Sequence, residues 1–213
     1  MIHLASTNIT HISVLLPSSV MSQAEIDYFI TRVSAVYDSL TSKGVVTAVA
    51  SKRIPVNGRR CGGWSALHAA VHYQRRDLVV ALLAAGANPN VKDDSGRTSV
   101  LEGAVWSTAN ILQLLIHGGS SVNEADDFGI TPLIKLVRYN CGDVAARLQV
   151  LLACTELDLN AEYDGRTAEE WAVNTRCLQY AAAIEEERTR RTRWSVFRAV
   201  WIGVTATRLL AAS

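Results

Sequence analysis

The sequence predicts an all-α solenoid of short helix–turn–helix units joined by β-turn or hairpin loops, with an appended C-terminal helix. Three observations predict it. Gly63, Gly96 and Gly129 stand 33 residues apart, and Asn57, Asn90 and Asn123 repeat at the same interval. A fixed period of that length marks an array of stacked units rather than one central core. Between the glycines, Leu82-Leu83 and Leu114-Leu115 recur as the apolar stripe of a helix that must be buried between neighbours. With 213 residues, 49% of them hydrophobic and 19% charged, the composition is that of a folded domain with extensions, not of a disordered chain.

The best copy of the unit reads Gly63-Trp-Ser-Ala-Leu67-His68-Ala-Ala70, then Asp77-Leu-Val-Val-Ala-Leu82-Leu83-Ala-Ala-Gly86-Ala87-Asn-Pro-Asn90. It resembles the ankyrin repeat, whose pattern is Gly-x-Thr-Pro-Leu-His-x-Ala-Ala followed by Leu-Leu…Gly-Ala…Asn. The resemblance is specific over about residues 60–175 and looser over 23–59. It implies a stack in which a glycine turn leads into a helix capped by Ser or Thr, small residues such as Ala69, Ala70 and Ala104 allow close helix approach, and Gly86 and Gly119 end the second helix. No unit buries its apolar face alone, so stability comes largely from neighbours.

Taken in order, residues 1–21 carry no Lys or Arg ahead of the short apolar run at Ile12–Leu16, so no signal peptide is read. Met21 is the expected natural start, and the segment before it a disordered extension. Residues 22–59 read as a degenerate N-terminal capping unit. A helix is expected across about Gln23–Leu40, with Ile26, Phe29, Ile30, Val33, Val36, Tyr37 and Leu40 on one face, and Val45 through Asn57 align without a gap onto Leu78 through Asn90. Residues 60–183 hold the repeats and a C-terminal cap. The unit at Gly96 is weak, with Ser99-Val100-Leu101 in place of Pro-Leu-His and Gly103 where alanine is preferred. The unit at Gly129-Ile-Thr131-Pro132-Leu133 is strong, with a longer loop at Asn140–Asp143, and a polar final unit begins at Gly165-Arg-Thr167-Ala168.

Residues 184–213 read as a charged helix running into an apolar one. Glu186 with Arg190, and Glu187 with Arg191, have the spacing of helical ion pairs, and Trp194, Phe197, Trp201 and Val204 recur at helical intervals. Arg198 and Arg208 leave too short an uncharged stretch for the ~20 residues a membrane span requires. Two readings stand: a helix lying on a bilayer surface, and the more economical one, a helix folded over the open face of the last repeat.

The resemblance implies protein–protein recognition through a concave groove, lined by the turns and by the ends of the first helices. Carried over residue by residue, the turn positions include Trp64, Asp94, Arg97, Phe128 and Ile130. The helix-end positions are His72, Tyr73, Val105, Trp106, Arg138 and Tyr139. Tyr73, Trp106 and Tyr139 then form an aromatic ladder of a residue type that dominates binding energy at interfaces. The alternative is that each ring packs against its neighbour in the stack, with Gly103 leaving room near Trp106. His68 occupies the family's structural histidine, which bonds backbone in the adjacent turn.

No catalytic motif appears. Asp127-Phe128-Gly129 spells the kinase metal-binding triplet without the rest of that machinery, and there is no nucleophile elbow, zinc-protease helix or phosphate loop. Leu152 through Asn160 resembles the pattern around hydroxylated ankyrin asparagines, but is read as an asparagine bonding its own turn. A net charge of +1 gives no general attraction to nucleic acid, and the four scattered cysteines suggest neither a metal site nor a disulfide framework. The expectation is a non-catalytic module without cofactors or metals, binding another protein inside the cell, in cytoplasm or nucleus.

Overall fold

The computed structural model describes residues 22–24, 26, 27, 30, 56–60, 62–139 and 142–210. The extension 1–21 and most of the capping unit expected over 22–59 lie outside the described residues. Of that unit, residues 23, 24, 26, 27 and 30 are helical, and Ile30 is buried in the core of the repeats.

The array is built from helix pairs: α1 (Ala66–His72) with α2 (Arg76–Ala84), α3 (Ser99–Trp106) with α4 (Ala109–His117), and α5 (Pro132–Tyr139) with α6 (Val144–Leu152). A two-residue hairpin follows, β1 (Glu162–Tyr163) and β2 (Arg166–Thr167), antiparallel and in register at Glu162↔Thr167 and Tyr163↔Arg166. It leads into α7 (Ala168–Asn174) and α8 (Leu178–Leu210). First helices stack on first helices (α1 on α3, α3 on α5, α5 on α7), and second helices on second helices. The core is therefore a continuous strip, with Leu67, Val71, Leu82, Ala104, Leu115, Ile134 and Leu151 all inaccessible to solvent.

Polar residues at fixed positions end and join these helices. Ser65, Thr98 and Thr167 accept the N–H three residues on at the starts of α1, α3 and α7. α5 opens on Pro132, where a missing N–H costs nothing. The repeated asparagines staple unit to unit: Asn90 Oδ1 accepts from Ser121 N–H at 2.8 Å, and Asn123 Oδ1 from Asp158 N–H at 2.8 Å. Their amides donate onward to Gly119 and Glu156 carbonyls at 3.0 and 2.7 Å.

The turns stack as well. Asp93 Oδ1 accepts the N–H groups of Ser95 and Arg97, both at 2.9 Å, and Asp126 Oδ1 does the same for Phe128 and Ile130 at 3.1 and 3.0 Å. Successive turns are joined by Asp127 N–H to the Ser95 carbonyl at 3.1 Å. That approach requires glycine at 96, because a Cβ there would sit 2.7 Å from the Asp127 backbone nitrogen.

The long C-terminal helix starts at Leu178, ahead of the position 184 expected from sequence. Its first turns pack against α7 and α6, burying Ala181 and Ile184. Arg191 then donates to the Leu157 and Cys154 carbonyls at 2.6 and 2.8 Å, fastening α8 to the chain that leaves α6. Arg188 pairs with Glu169 of α7 and with Glu185 at 2.9 Å. The expected Glu187–Arg191 pair forms at 2.7 Å, whereas Arg190 joins Glu187 at 2.7 Å rather than Glu186. Glu187 is the better partner because its carboxylate sits at the buried edge, where both guanidiniums converge on it.

Candidate protein-recognition face

The face assigned to recognition consists of the turns and the ends of α1, α3, α5 and α7. His68 lies beneath it, buried, and belongs to the scaffold. Its Nε2 lies 3.0 Å from the Arg97 carbonyl, an acceptor only, so Nε2 carries the proton and Nδ1 accepts from Ser65 Oγ at 2.8 Å. Burial holds the ring below the usual histidine pKa, against the pull of the Arg97 carbonyl and of Asp93 and Glu102.

At the N-terminal end, His72 sits in an aromatic cluster. Its ring centroid is 5.2 Å from that of Trp64, 5.0 Å from Tyr73 and 5.9 Å from Trp106. His72 Nδ1 is 2.6 Å from Glu102 Oε1, and the Arg60 guanidinium lies 5.1 Å above the Trp64 ring. Gln74 donates to the Trp106 carbonyl at 2.8 Å, tying the end of α1 to that of α3.

The middle of the face is charged and buried. Glu102 and Lys135 occupy equivalent positions, 33 residues apart, in α3 and α5. Arg97 binds Asp93 at 2.7 Å and reaches Glu102 at 3.9 Å; Lys135 Nζ is 3.7 Å from Asp126 Oδ2. Burial raises the cost of the Asp93 charge, but the Arg97 guanidinium and the N–H groups of Arg97 and Ser95 outweigh it and hold the carboxyl below its usual pKa. Lys135 goes the other way: burial depresses its pKa, with Asp126 only partly compensating.

At the C-terminal end the Arg138 guanidinium lies over three rings, 5.8 Å from Tyr139, 5.1 Å from Tyr163 and 5.2 Å from Trp171. Arg166 lies 5.2 Å from the Trp171 centroid. Tyr163 and Trp171 stack on each other at 6.0 Å, and the indole N–H donates to the Tyr163 carbonyl at 3.1 Å.

Arg97 aside, eight of the eleven residues expected on the face are exposed or half-buried along it. Tyr73, Trp106 and Tyr139 are 42, 46 and 49% exposed, and Phe128 is 72% exposed. Asp94 is exposed, and Trp64, His72 and Arg138 are half-buried in the clusters just described. Arg97, also half-buried, is committed to Asp93 and is part of the turn. Val105 and Ile130 are core residues, 4 and 5% exposed. At these positions His72 and Trp64 lie along the surface, but a purely apolar chain folds inward. The room expected at Gly103 is absent. It is closed by Val71, Leu115 and Ser107, each within 3.3 Å of a would-be Cβ.

Position-by-position reading missed Tyr163, Arg166 and Trp171, because it carries the groove positions over to the first three units only. It also missed Arg147. This arginine, only 2% exposed, crosses from α6 and donates to the Ala104 carbonyl at 2.7 Å and to the Val105 carbonyl, both at the C-terminal end of α3. There it meets the orphan acceptors and negative pole of the helix.

A solenoid of stacked helix pairs, with turns projecting from one edge, is the class these features define. Residues 62–94 match the family model for the ankyrin repeat, and the helix pairs stack as in an ankyrin-repeat solenoid. It is 34% identical over 123 residues to neurogenic locus notch homolog protein 1 of Xenopus laevis, a match covering 57% of this chain and 4% of that protein. It is 34% identical over 114 residues to neurogenic locus notch homolog protein 2 of Homo sapiens (52% and 4%). Over 97 residues it is 31% identical to glycerophosphocholine phosphodiesterase gde1 of Schizosaccharomyces pombe (45% and 8%). The chain thus spans less than a tenth of the length of these relatives. Repeats of this family generally serve as non-catalytic protein–protein interaction modules.

Proposed function

We propose that this chain is a non-catalytic recognition module that holds a protein partner along the face formed by its turns and first-helix ends. The observation that carries the reading is the ladder: three aromatic side chains at the same position of consecutive units, each left between 42 and 49% exposed. A fixed scaffold presents them without an ordering cost on binding, and aromatic anchors of this kind concentrate interface energy. The buried thiol of Cys154 accords with an intracellular setting. The test is affinity capture from native extract with wild type and the Tyr73→Ala/Trp106→Ala/Tyr139→Ala variant, after circular dichroism shows that both fold. Partners captured by wild type and lost by the variant support the reading; equal capture by the two sinks it.

A second reading rests on Trp194 and Phe197, which pair edge-to-face at 6.0 Å on α8 while remaining 65 and 62% exposed. No helix among the described residues is long and apolar enough to cross a membrane, but such a pair suits contact with a bilayer surface. Co-sedimentation with anionic vesicles that is abolished by Trp194→Ser/Phe197→Ser would favour this reading over the first.

A further inference from the structure

We infer that the C-terminal end of the recognition face takes an acidic segment of the partner, with the guanidiniums of Arg138 and Arg166 receiving its carboxylates. The inference rests on the reading of this face as a protein-binding surface and specifies the chemistry of what binds there. Among the described residues, Arg138 and Arg166 each stack on aromatic rings, and neither forms an ion pair or a side-chain hydrogen bond. Stacking uses only the flat face of a guanidinium. Its in-plane fork of N–H donors stays unengaged, and that fork matches a carboxylate in two-pronged geometry.

The two guanidiniums lie against one indole. Each guanidinium carbon is 5.2 Å from the Trp171 centroid, so they lie no farther apart than twice that distance. Arg166 is the register partner of Tyr163 across the hairpin, and Arg138 lies over that same tyrosine. Two like charges drawn to one indole repel each other, and among the described residues no carboxylate forms an ion pair with either. Glu169 is committed to Arg188, and Glu170 closes the capping box with Thr167 and contributes only a distant attraction to Arg166. Four arginines elsewhere in the chain show the contrast. Arg97, Arg188, Arg190 and Arg191 all sit on carboxylates.

A nucleic acid fits less well. A stacked base needs an open ring, and here Trp171 is 8% exposed, covered by Tyr163 on one side and by guanidiniums. The neighbouring turns also carry Asp94, Asp127, Glu162 and Asp164, which oppose a long polyanion but leave room for a short acidic stretch.

The probe is a fluorescein-labelled octa-glutamate peptide read by anisotropy at low salt, beside an octa-glutamine twin and an oligothymidylate of similar length. The proteins are the wild-type chain, Arg138→Gln/Arg166→Gln, and a charge-matched control, Arg76→Gln/Arg193→Gln. Wild type is expected to prefer the glutamate peptide. Loss of the two forks should weaken that binding by about tenfold or more, and the control by no more than about twofold. Equal weakening in both variants, no preference over octa-glutamine, or tighter oligothymidylate binding would each overturn the assignment. Extract capture separates this from the broader reading. If partners are lost by the Tyr73/Trp106/Tyr139 variant but kept by the double glutamine variant, the recognition face stands and the acidic-segment inference is refuted.

Discussion

Gly96→Ala and Gly129→Ala change the same atom at the same position of two consecutive units, yet they should differ in cost. Both glycines have left-handed backbones, with φ of +73° and +83°. Forcing an L side chain into that region costs about 1–2 kcal/mol at either site. At Gly129 the cost ends there, since nothing lies within 4 Å of the added Cβ. At Gly96 the Cβ would fall 2.2 Å from Asp127 Oδ1 and 2.7 Å from the Asp127 backbone nitrogen. The side chain can swing away; the backbone cannot without breaking its 3.1 Å bond to the Ser95 carbonyl, a further loss of about 0.5–1.5 kcal/mol. Gly96→Ala should therefore cost about 1 kcal/mol more than Gly129→Ala, with overlap strain on top. Urea unfolding followed by circular dichroism measures both on one scale, with unchanged slopes showing that only stability moved. Equal midpoints for the two variants would mean that the turns are not in contact as described, and the account of inter-turn packing would fail.

Three further outcomes are expected. Trp106→Ala and Tyr139→Ala, singly, weaken capture of the partner while leaving the far-ultraviolet spectrum of wild type; collapse of helicity in both would make the ladder a packing feature. Arg147→Met keeps the buried stem but orphans the Ala104 and Val105 carbonyls, at a cost of about 2–5 kcal/mol in urea unfolding, whereas Arg190→Met on exposed α8 barely moves the midpoint. Stability also falls as pH drops from about 7.5 to 5.5. His68 has a native pKa below its unfolded value, so its contribution is complete above about 6.5 and is lost as pH falls toward the native value, because the unfolded chain takes the proton first. His68→Gln should flatten that slope, and an unchanged slope would refute the assignment.

How much of this was legible in the sequence depends on whether a residue's partner lies in its own unit or at a fixed offset. The capping Ser65, Thr98 and Thr167 act within their own units, and the turn glycines, His68 and the asparagine staples act on neighbours about one period away, so the repeat pattern exposes them. The exposed ladder was readable for the same reason. Val105 and Ile130 were misplaced because register fixes where a Cα sits, while the chemistry of the side chain decides which way it folds. Arg147 gave no signal at all: its partners are backbone carbonyls 42 and 43 residues away, and any sequence has carbonyls. The last unit aligns on Gly165 and Thr167, and the Tyr163–Arg166–Trp171 group is found only when the groove positions are carried over to that unit as well as to the first three. That places Trp171 over Glu102 and Lys135, on the buried row beneath the face.

Magnitudes argue that the two ends of the face act together. An aromatic side chain can bury about 150–250 Å², so a ring roughly half exposed on the free protein has about 100 Å² still to cover. At about 25 cal/mol per Å² that is about 2.5 kcal/mol for each of Tyr73, Trp106 and Tyr139, or about 7–8 kcal/mol for all three under complete coverage. Association alone costs about 4–15 kcal/mol in lost translation and rotation. The ladder by itself therefore supports millimolar binding at best. Its middle adds little, because Arg97, Asp93, Glu102, Lys135 and Asp126 already satisfy one another within the floor. At the Arg138–Arg166 end the guanidinium donors are unspent, and each charge-assisted bond there adds about 1.5–3 kcal/mol. A partner bound at micromolar strength has to engage both the rings and the guanidiniums, so the triple-alanine and double-glutamine variants should each be enough to abolish its capture.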